Sequence, residues 1–193
     1  MLSMFQRYEF TREQWFEIKE ECDKQSITFL STPQNRSDLD LLLEIGIPAI
    51  KIGSDDLTNI PLIRRYAQEK LPLILSSGMS DLAEVYNAVN TAGGFDGNDV
   101  AILLCTSQYP TPPEEVNLAR MDTLKGSLPG VTIGFSDHTK GTLASSLAVV
   151  MGAAILEKHF TLDNNLPGPD HWFSEDPVGL NNWVHSIKLS HTM

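Results

Sequence analysis

The sequence predicts an α/β fold built on a parallel sheet, and three observations carry that expectation. Short apolar runs rich in Ile, Val and Leu recur at 27–30, 49–52, 73–75, 100–104, 131–133 and 154–156. Continuous, turn-bounded runs of this kind are expected of strands covered on both faces. Helical segments with recognisable starts lie between them, giving a βα alternation. Polar residues gather just after the runs: Ser31 and Thr32, Lys51 and Ser54, Ser76 and Ser77, Thr106 and Ser107, Ser136 and His138, Glu157 and His159. Periodicity alone does not separate a βα barrel from a doubly wound sheet. Six strands contributing to one ligand-binding rim favour the TIM-type (β/α) barrel.

Each element has its own signal. Thr11-Arg12-Glu13-Gln14 fits a capping box and opens a first helix carrying Phe16, Ile18 and Cys22. The run at 27–30 leads into Ser31-Thr32-Pro33. Leu41, Leu42 and Ile45 form the inward face of a second helix, which Gly46 ends. The run at 49–52 carries Lys51 into Gly53-Ser54, and the run at 73–75 leads to Ser76-Ser77-Gly78-Met79. Ser80-Asp81-Leu82-Ala83-Glu84 starts a helix with Val85, Ala88 and Val89 on its apolar side. After the run at 100–104 come Cys105 to Pro110, and Thr111-Pro112-Pro113-Glu114 again fits a capping box, with proline in the first turn. Residues 143–151 form a nearly all-apolar helix, and a terminal helix over 180–190 aligns Trp183, Val184 and Ile187.

With 193 residues, 41% of them hydrophobic, the chain suffices for one sizeable core, so one domain is expected. A net charge of −11 without any Lys/Arg cluster argues against a nucleic-acid surface. An anionic substrate must then be captured by local donors. No apolar stretch reaches the ~18 residues of a membrane span. The start, Met1 to Tyr8, lacks the apolar region of a signal peptide. No membrane partner and a cytoplasmic location are expected. Cys22 and Cys105 are isolated and read as buried, reduced thiols rather than a disulfide or CxxC site.

His138 and His159 each follow a buried run. At the same ends of neighbouring parallel strands, two imidazoles converge as a divalent metal requires. The plainer alternative is a pair of hydrogen-bonded rim histidines. Strand-end Ser and Thr can likewise serve only local backbone groups, and Asp170, in Gly168-Pro169-Asp170-His171, can be only a turn residue.

Together, Phe29 to Pro33, Lys51 to Ser54, Leu75 to Met79, Cys105 to Pro112, Gly134 to Thr139, Glu157 to Asp163 and Gly168 to His171 resemble the sialic acid synthase (N-acetylneuraminate synthase) family. The resemblance covers the central and C-terminal part of that family's barrel. It implies condensation of phosphoenolpyruvate with N-acetylmannosamine or a related N-acetylated hexose. The product would be a nine-carbon 2-keto sugar acid of sialic or legionaminic type, with phosphate released. By the same resemblance Lys51 binds phosphoenolpyruvate in a pocket lined by Thr32, Ser54, Ser76 and Ser136. Ser107 stands in the substrate site where many relatives have Asn, and Phe135 where many have Tyr. Asp170 is the catalytic-site acid that contacts the acceptor sugar, with Tyr109 beside it. His138 and His159 are metal ligands for Mn²⁺ or Mg²⁺, and Glu157 supports a ligand or a lysine. His171 is a weaker candidate, while His185 and His191 face solvent. Trp172-Phe173-Ser174-Glu175-Asp176-Pro177 replaces the commoner Lys-Ala-Ser-Leu-Glu-Pro. The Asp170-His171 pair argues against the pseudaminic acid branch.

The resemblance also implies that residues 1–193 form one partial barrel domain with six of eight βα units. The first two units and a C-terminal antifreeze-like domain fall outside it, as do the family's acid–base glutamate and a second phosphate-binding lysine. A chain of these residues alone is expected to lack full activity and to associate through unpaired strand edges. The full-length family is expected to be homodimeric. Two other readings are a non-enzymatic remnant or binding module, and another phosphoenolpyruvate- or metal-dependent barrel aldolase.

Overall fold

The computed structural model describes residues 6–193, and the chain divides into two compact units, Met1–Lys51 and Ile52–Met193. Residues 1–5, part of the stretch that bears on a signal peptide, lie outside the described residues. Among the described residues no helix is long and apolar enough to cross a membrane.

In the first unit, helix α1 (Arg12–Lys24) opens on the expected capping box. Thr11 Oγ1 accepts the Gln14 N–H at 3.3 Å, and Gln14 Oε1 accepts the Thr11 N–H at 2.8 Å, satisfying two otherwise orphaned donors. Asn35 caps α2 (Arg36–Ile45), which Gly46 terminates in the left-handed conformation. Leu39, Leu42 and Ile45 are the buried residues of α2, whereas the expected Leu41 is only half-buried. Arg12 pairs with Glu44 between the two helices. The strand expected at 27–30 does not form. The Ile27 N–H bonds to the Cys22 carbonyl at 2.8 Å, closing the helix end, and residues 27–30 make no ladder bridge among the described residues. A strand exists only through such pairing, which apolar content by itself does not supply.

Strand β1 (Ile50–Ile52) spans the division between the units. It is followed by β2 (Leu73–Ser76), β3 (Val100–Cys105), β4 (Thr132–Asp137) and β5 (Leu156–Lys158). The sheet order is β1-β2-β3-β4-β5. Strands β2 to β5 pair in parallel, with Leu75 opposite Ile102, Leu104 opposite Phe135, and Phe135 opposite Leu156. All six residues of β3 are buried, as a strand covered on both faces requires.

The intervening helices are α3 (Ile60–Ala67), α4 (Leu82–Thr91), α5 (Pro113–Val116), α6 (Arg120–Ser127), α7 (Leu143–Val150) and α8 (Pro177–His191). Asp81 and Glu84 complete a capping box on α4, whose Val85, Ala88 and Val89 are buried as expected. Thr111 does not cap α5. Pro112 takes the cap position, and Thr111 Oγ1 donates instead to the Gln108 carbonyl at 2.8 Å. Helix α7 buries Ser145 and Ala148 and packs on α8, leaving Leu143, Leu147 and Val150 exposed.

Candidate active site

The ends of β4 and β5 are in register: Ser136 pairs with Glu157 and Asp137 with Lys158. Side chains alternate across a strand, so Ser136 and His138 share one face with Glu157 and His159, while Asp137 and Lys158 turn to the other. The contacts follow this division.

On the first face, the Ser136 hydroxyl donates to Glu157 Oε1 at 2.7 Å, and Ser136 Oγ lies 3.5 Å from His138 Nε2. His138 Nδ1 is 2.8 Å from the Thr106 carbonyl oxygen. A carbonyl only accepts, so Nδ1 carries a proton, and in the neutral ring Nε2 carries the lone pair. The His138 and His159 ring centroids are 5.1 Å apart and nearly perpendicular. Tyr109 stacks 4.3 Å from His138 and 5.6 Å from His159. Phe173, buried, closes the cluster at 5.1 Å from His159 and 5.6 Å from Tyr109. Asp170 Oδ2 approaches His159 Nδ1 at 3.6 Å.

Burial pushes the His159 imidazole below its ordinary value, and the neighbouring His138 adds to this. Burial also opposes charge on His138, but its contacts with Cys105 and the Thr106 carbonyl outweigh that and raise it. Cys105 is a free, buried thiol, as expected, whereas Cys22, also free, is only half-buried on α1; the Cys105 sulfur lies 3.9 Å from His138 Nδ1. Burial alone would push the thiol up; hydrogen bonding with His138, Ser54 and Ser136 holds it below its ordinary value.

On the second face, Lys158 Nζ lies 3.1 Å from Asp137 Oδ2 and 3.8 Å from Glu175 Oε1, and it donates to the carbonyls of Thr139 and Gly141. Asp137 Oδ1 accepts from the Thr139 N–H at 2.8 Å and the Thr139 hydroxyl at 2.7 Å. Its other oxygen accepts from Ser145, which in turn accepts from the Trp183 indole at 2.9 Å. Glu175 Oε1 accepts the Gly141 N–H at 2.8 Å. Both charges are thereby taken out of water with their hydrogen-bonding capacity used, the condition under which a buried pair is tolerated.

A third group surrounds Gly78, whose N–H donates to Ser54 Oγ at 2.9 Å. A β-carbon at Gly78 would lie 2.3 Å from Ser107 Oγ and 2.7 Å from Ser54 Oγ, so only glycine lets both hydroxyls close in. Ser107 Oγ is buried and has no hydrogen-bond partner among the described residues. Ser76 ends β2 and is buried.

The second unit thus brings Tyr109, Ser136, His138, His159 and Asp170 together, with Cys105 joining Ser54 to that group. Thr32 and Lys51 belong to the first unit. Thr32 lines a cleft there with Trp15 and Asp38, and Lys51 is buried at the centre of β1. His171 serves its own loop: its Nδ1 is 2.7 Å from Thr161 Oγ1, and its carbonyl accepts from Asn164. His185 and His191 are exposed, as expected. Among the described residues no set of three or more His, Cys, Asp or Glu side chains is arranged to hold a metal ion.

Sequence reasoning missed the parts played by Thr106, Lys158, Glu175 and Phe173. Strict alternation from the register-paired motifs would have set Lys158 opposite Asp137. No local signal marks Phe173.

Comparison with known proteins gives a consistent result. A model of the NeuB family matches residues 1–193. An N,N'-diacetyllegionaminic acid synthase of Legionella pneumophila is 41% identical over 194 residues, covering 98% of this chain and 54% of that protein. An N-acetylneuraminate-9-phosphate synthase of Drosophila melanogaster is 36% identical, covering 94% and 50%. The crystal structure of an N-acetylneuraminic acid synthetase from Leptospira borgpetersenii, in complex with citrate, superposes with a TM-score of 0.90 at 35% identity, covering 95% of this chain and 64% of that one. The chain spans about half the length of the curated relatives it matches.

Proposed function

The chain belongs to the NeuB family, and from that premise we propose that it forms part of a phosphoenolpyruvate-condensing barrel enzyme making a nine-carbon 2-keto sugar acid. The acceptor class is an N-acetylated hexose of the kind used for sialic or legionaminic acids. The single observation that carries the reading is the convergence of His138 and His159 from neighbouring strands, with Tyr109 and Asp170 against them. The sheet order rises steadily with sequence. This supports a barrel segment, because a doubly wound sheet reverses its order at a switch point.

The donor chemistry fits the substrates. Phosphoenolpyruvate presents phosphate and carboxylate oxygens, and Ser54, Ser76 and Ser107 offer hydroxyls at strand ends; Ser136 joins them when its proton turns from Glu157. The buried Ser107 hydroxyl, unpartnered among the described residues, gains a partner when an anionic oxygen enters. Thr32 and Lys51 enter the proposal on the resemblance of their motifs, Lys51 supplying the fixed cation. Asp170 and Tyr109 bind the acceptor, and Tyr109 and Phe173 exclude water from the imidazoles' flank.

The two histidines also fit a divalent ion of the Mn²⁺ or Mg²⁺ type. In the neutral His138 ring the Nδ1–H donates to the Thr106 carbonyl and Nε2 carries the lone pair, and water and substrate oxygens would fill an ion's remaining positions. When bound, the ion supplies Lewis acidity to the acceptor's carbonyl oxygen. Glu157 and Ser136 hold the floor beneath the imidazoles.

Phosphate release from phosphoenolpyruvate, followed with a panel of N-acetylated hexosamines and with no acceptor, tests this reading. Release that requires an N-acetylated hexosamine is expected. Release without an acceptor, or only with a non-acetylated aldose, overturns it.

A further inference from the structure

Asp137 and Lys158 immediately precede His138 and His159, and they are each other's register partners across β4 and β5. Their side chains meet at 3.1 Å on the face opposite the imidazoles, with side-chain exposures of 0% and 3%. A pleated strand moves as a unit, so fixing one face at a strand end fixes the adjacent residue on the other. The ladder between β4 and β5 ends at Lys158, and beyond it the main chain of His159 to Thr161 pairs with Glu175 through a bridge centred on Phe160. Whatever fixes Glu175 against the chain after His138 therefore fixes that last step.

The Lys158 ammonium is placed to do this. It reaches the carbonyls of Thr139 and Gly141, directly after His138, and approaches Glu175 at 3.8 Å. Glu175 in turn receives the Gly141 N–H through its side chain, and through its main chain it bonds to the His159 carbonyl and the Thr161 N–H. Lys158 therefore ties together the chain after His138, the chain after His159 and the end of the loop carrying Asp170. Asp137 anchors the same ammonium and is itself held by Thr139 and by Ser145, which Trp183 on α8 fixes.

We propose that the buried Asp137–Lys158 pair is a positioning device that sets the separation and orientation of the His138 and His159 imidazoles, and thereby the affinity of their shared site for a divalent cation. The inference rests on the proposed assignment of both histidines to one site. It differs from a purely structural role, in which the pair would affect folding alone.

Three variants of this chain test it: Asp137→Asn, Lys158→Met and the double substitution. The double variant removes both members of the buried pair; the half-buried Glu175 carboxylate loses its cation but keeps the Gly141 N–H, so this variant is the one most able to fold. Thermal melts monitored by circular dichroism establish folding, and the electron paramagnetic resonance signal of free Mn²⁺ gives the dissociation constant. Long-range ¹H–¹⁵N spectra of the imidazoles in metal-free protein report tautomer and orientation. The expected result is a folded double variant with Mn²⁺ affinity weakened about 10- to 100-fold, the range for lost outer-sphere support of ligating histidines. Its His138 spectrum should depart from the single Nδ1-protonated form of the wild type.

A folded double variant with wild-type affinity and wild-type imidazole spectra overturns the proposal. So does failure of the double variant to fold, because the pair is then a requirement of the fold. If the wild type itself binds no Mn²⁺, the metal reading of the histidines falls. The imidazole spectra still decide whether the pair positions them.

Discussion

The hydroxyl of Ser136 and the carboxylate of Glu157 meet at 2.7 Å across paired positions of β4 and β5, with His138 Nε2 3.5 Å from the same hydroxyl. The negative charge on Glu157 favours the protonated form of both His138 and His159. Glu157→Gln keeps an acceptor for Ser136 and removes the charge. Both imidazoles should then titrate at lower pH than in the wild type, as read by NMR in metal-free protein. Unchanged midpoints would mean that solvent screens Glu157 from the histidines.

The two histidines should leave opposite marks on stability. His159 is depressed by burial and by His138, so below about pH 6.5 the unfolded chain binds more protons. Wild type should lose stability relative to His159→Gln as pH falls through that window. His138 is raised despite its burial, by Cys105 and Thr106, so its contribution is fully present below about pH 6.5 and is lost as pH rises through its folded value. Wild type should therefore gain relative to His138→Gln on acidification. Urea titrations with chelator at pH 5, 6.5 and 8 check both signs, and slopes of the same sign would refute the assignment.

His138→Ala removes one of two imidazole ligands. Titration of the wild-type chain with Mn²⁺ should show binding that the variant lacks. Equal binding by both would sink the metal site.

Lys51→Ala should weaken phosphoenolpyruvate binding by roughly ten- to a hundredfold, since a hydrogen bond to a charged group contributes about 1.5–3 kcal/mol. Calorimetric titration measures it. An unchanged dissociation constant would assign this buried lysine to the fold alone.

Gly134 lies in β4 where a β-carbon would be 2.4 Å from Leu103 Cδ2 and 2.5 Å from the Ile155 carbonyl oxygen. The leucine can turn aside, but the carbonyl is main chain and accepts the Phe135 N–H at 2.8 Å. Gly134→Ala must therefore push β5 away from β4. Overpacking of this kind costs about 1–3 kcal/mol, and a denaturant midpoint unchanged from wild type would contradict the close approach.

Much of this was legible in the sequence because it is local. The runs at 73–75 and 100–104 became β2 and β3 nearly residue for residue, the Thr11 capping box formed, and a helix starts at the expected Ser80–Glu84 segment. His138 and His159 announced themselves by following apolar runs, and the structure places their rings side by side. What failed depended on partners distant in sequence. Residues 27–30 had the composition of a strand without a ladder to join, and Thr111 had the spacing of a cap but a nearer carbonyl to satisfy. Phe173 joins Tyr109 and His159 only through the path of a long loop, which no periodicity encodes.

The salt bridge between Asp137 and Lys158 also constrains how this chain can diverge. Losing one partner strands the other charge in a dry interior at a cost of about 3–5 kcal/mol, a large fraction of a typical domain's stability. Exchange of both for uncharged residues carries a much smaller penalty. Single-step mutants at either position therefore stand in a fitness valley between two acceptable pairings. The residues preceding the two histidines should drift across descendants as one coupled character, although 20 positions separate them in the gene.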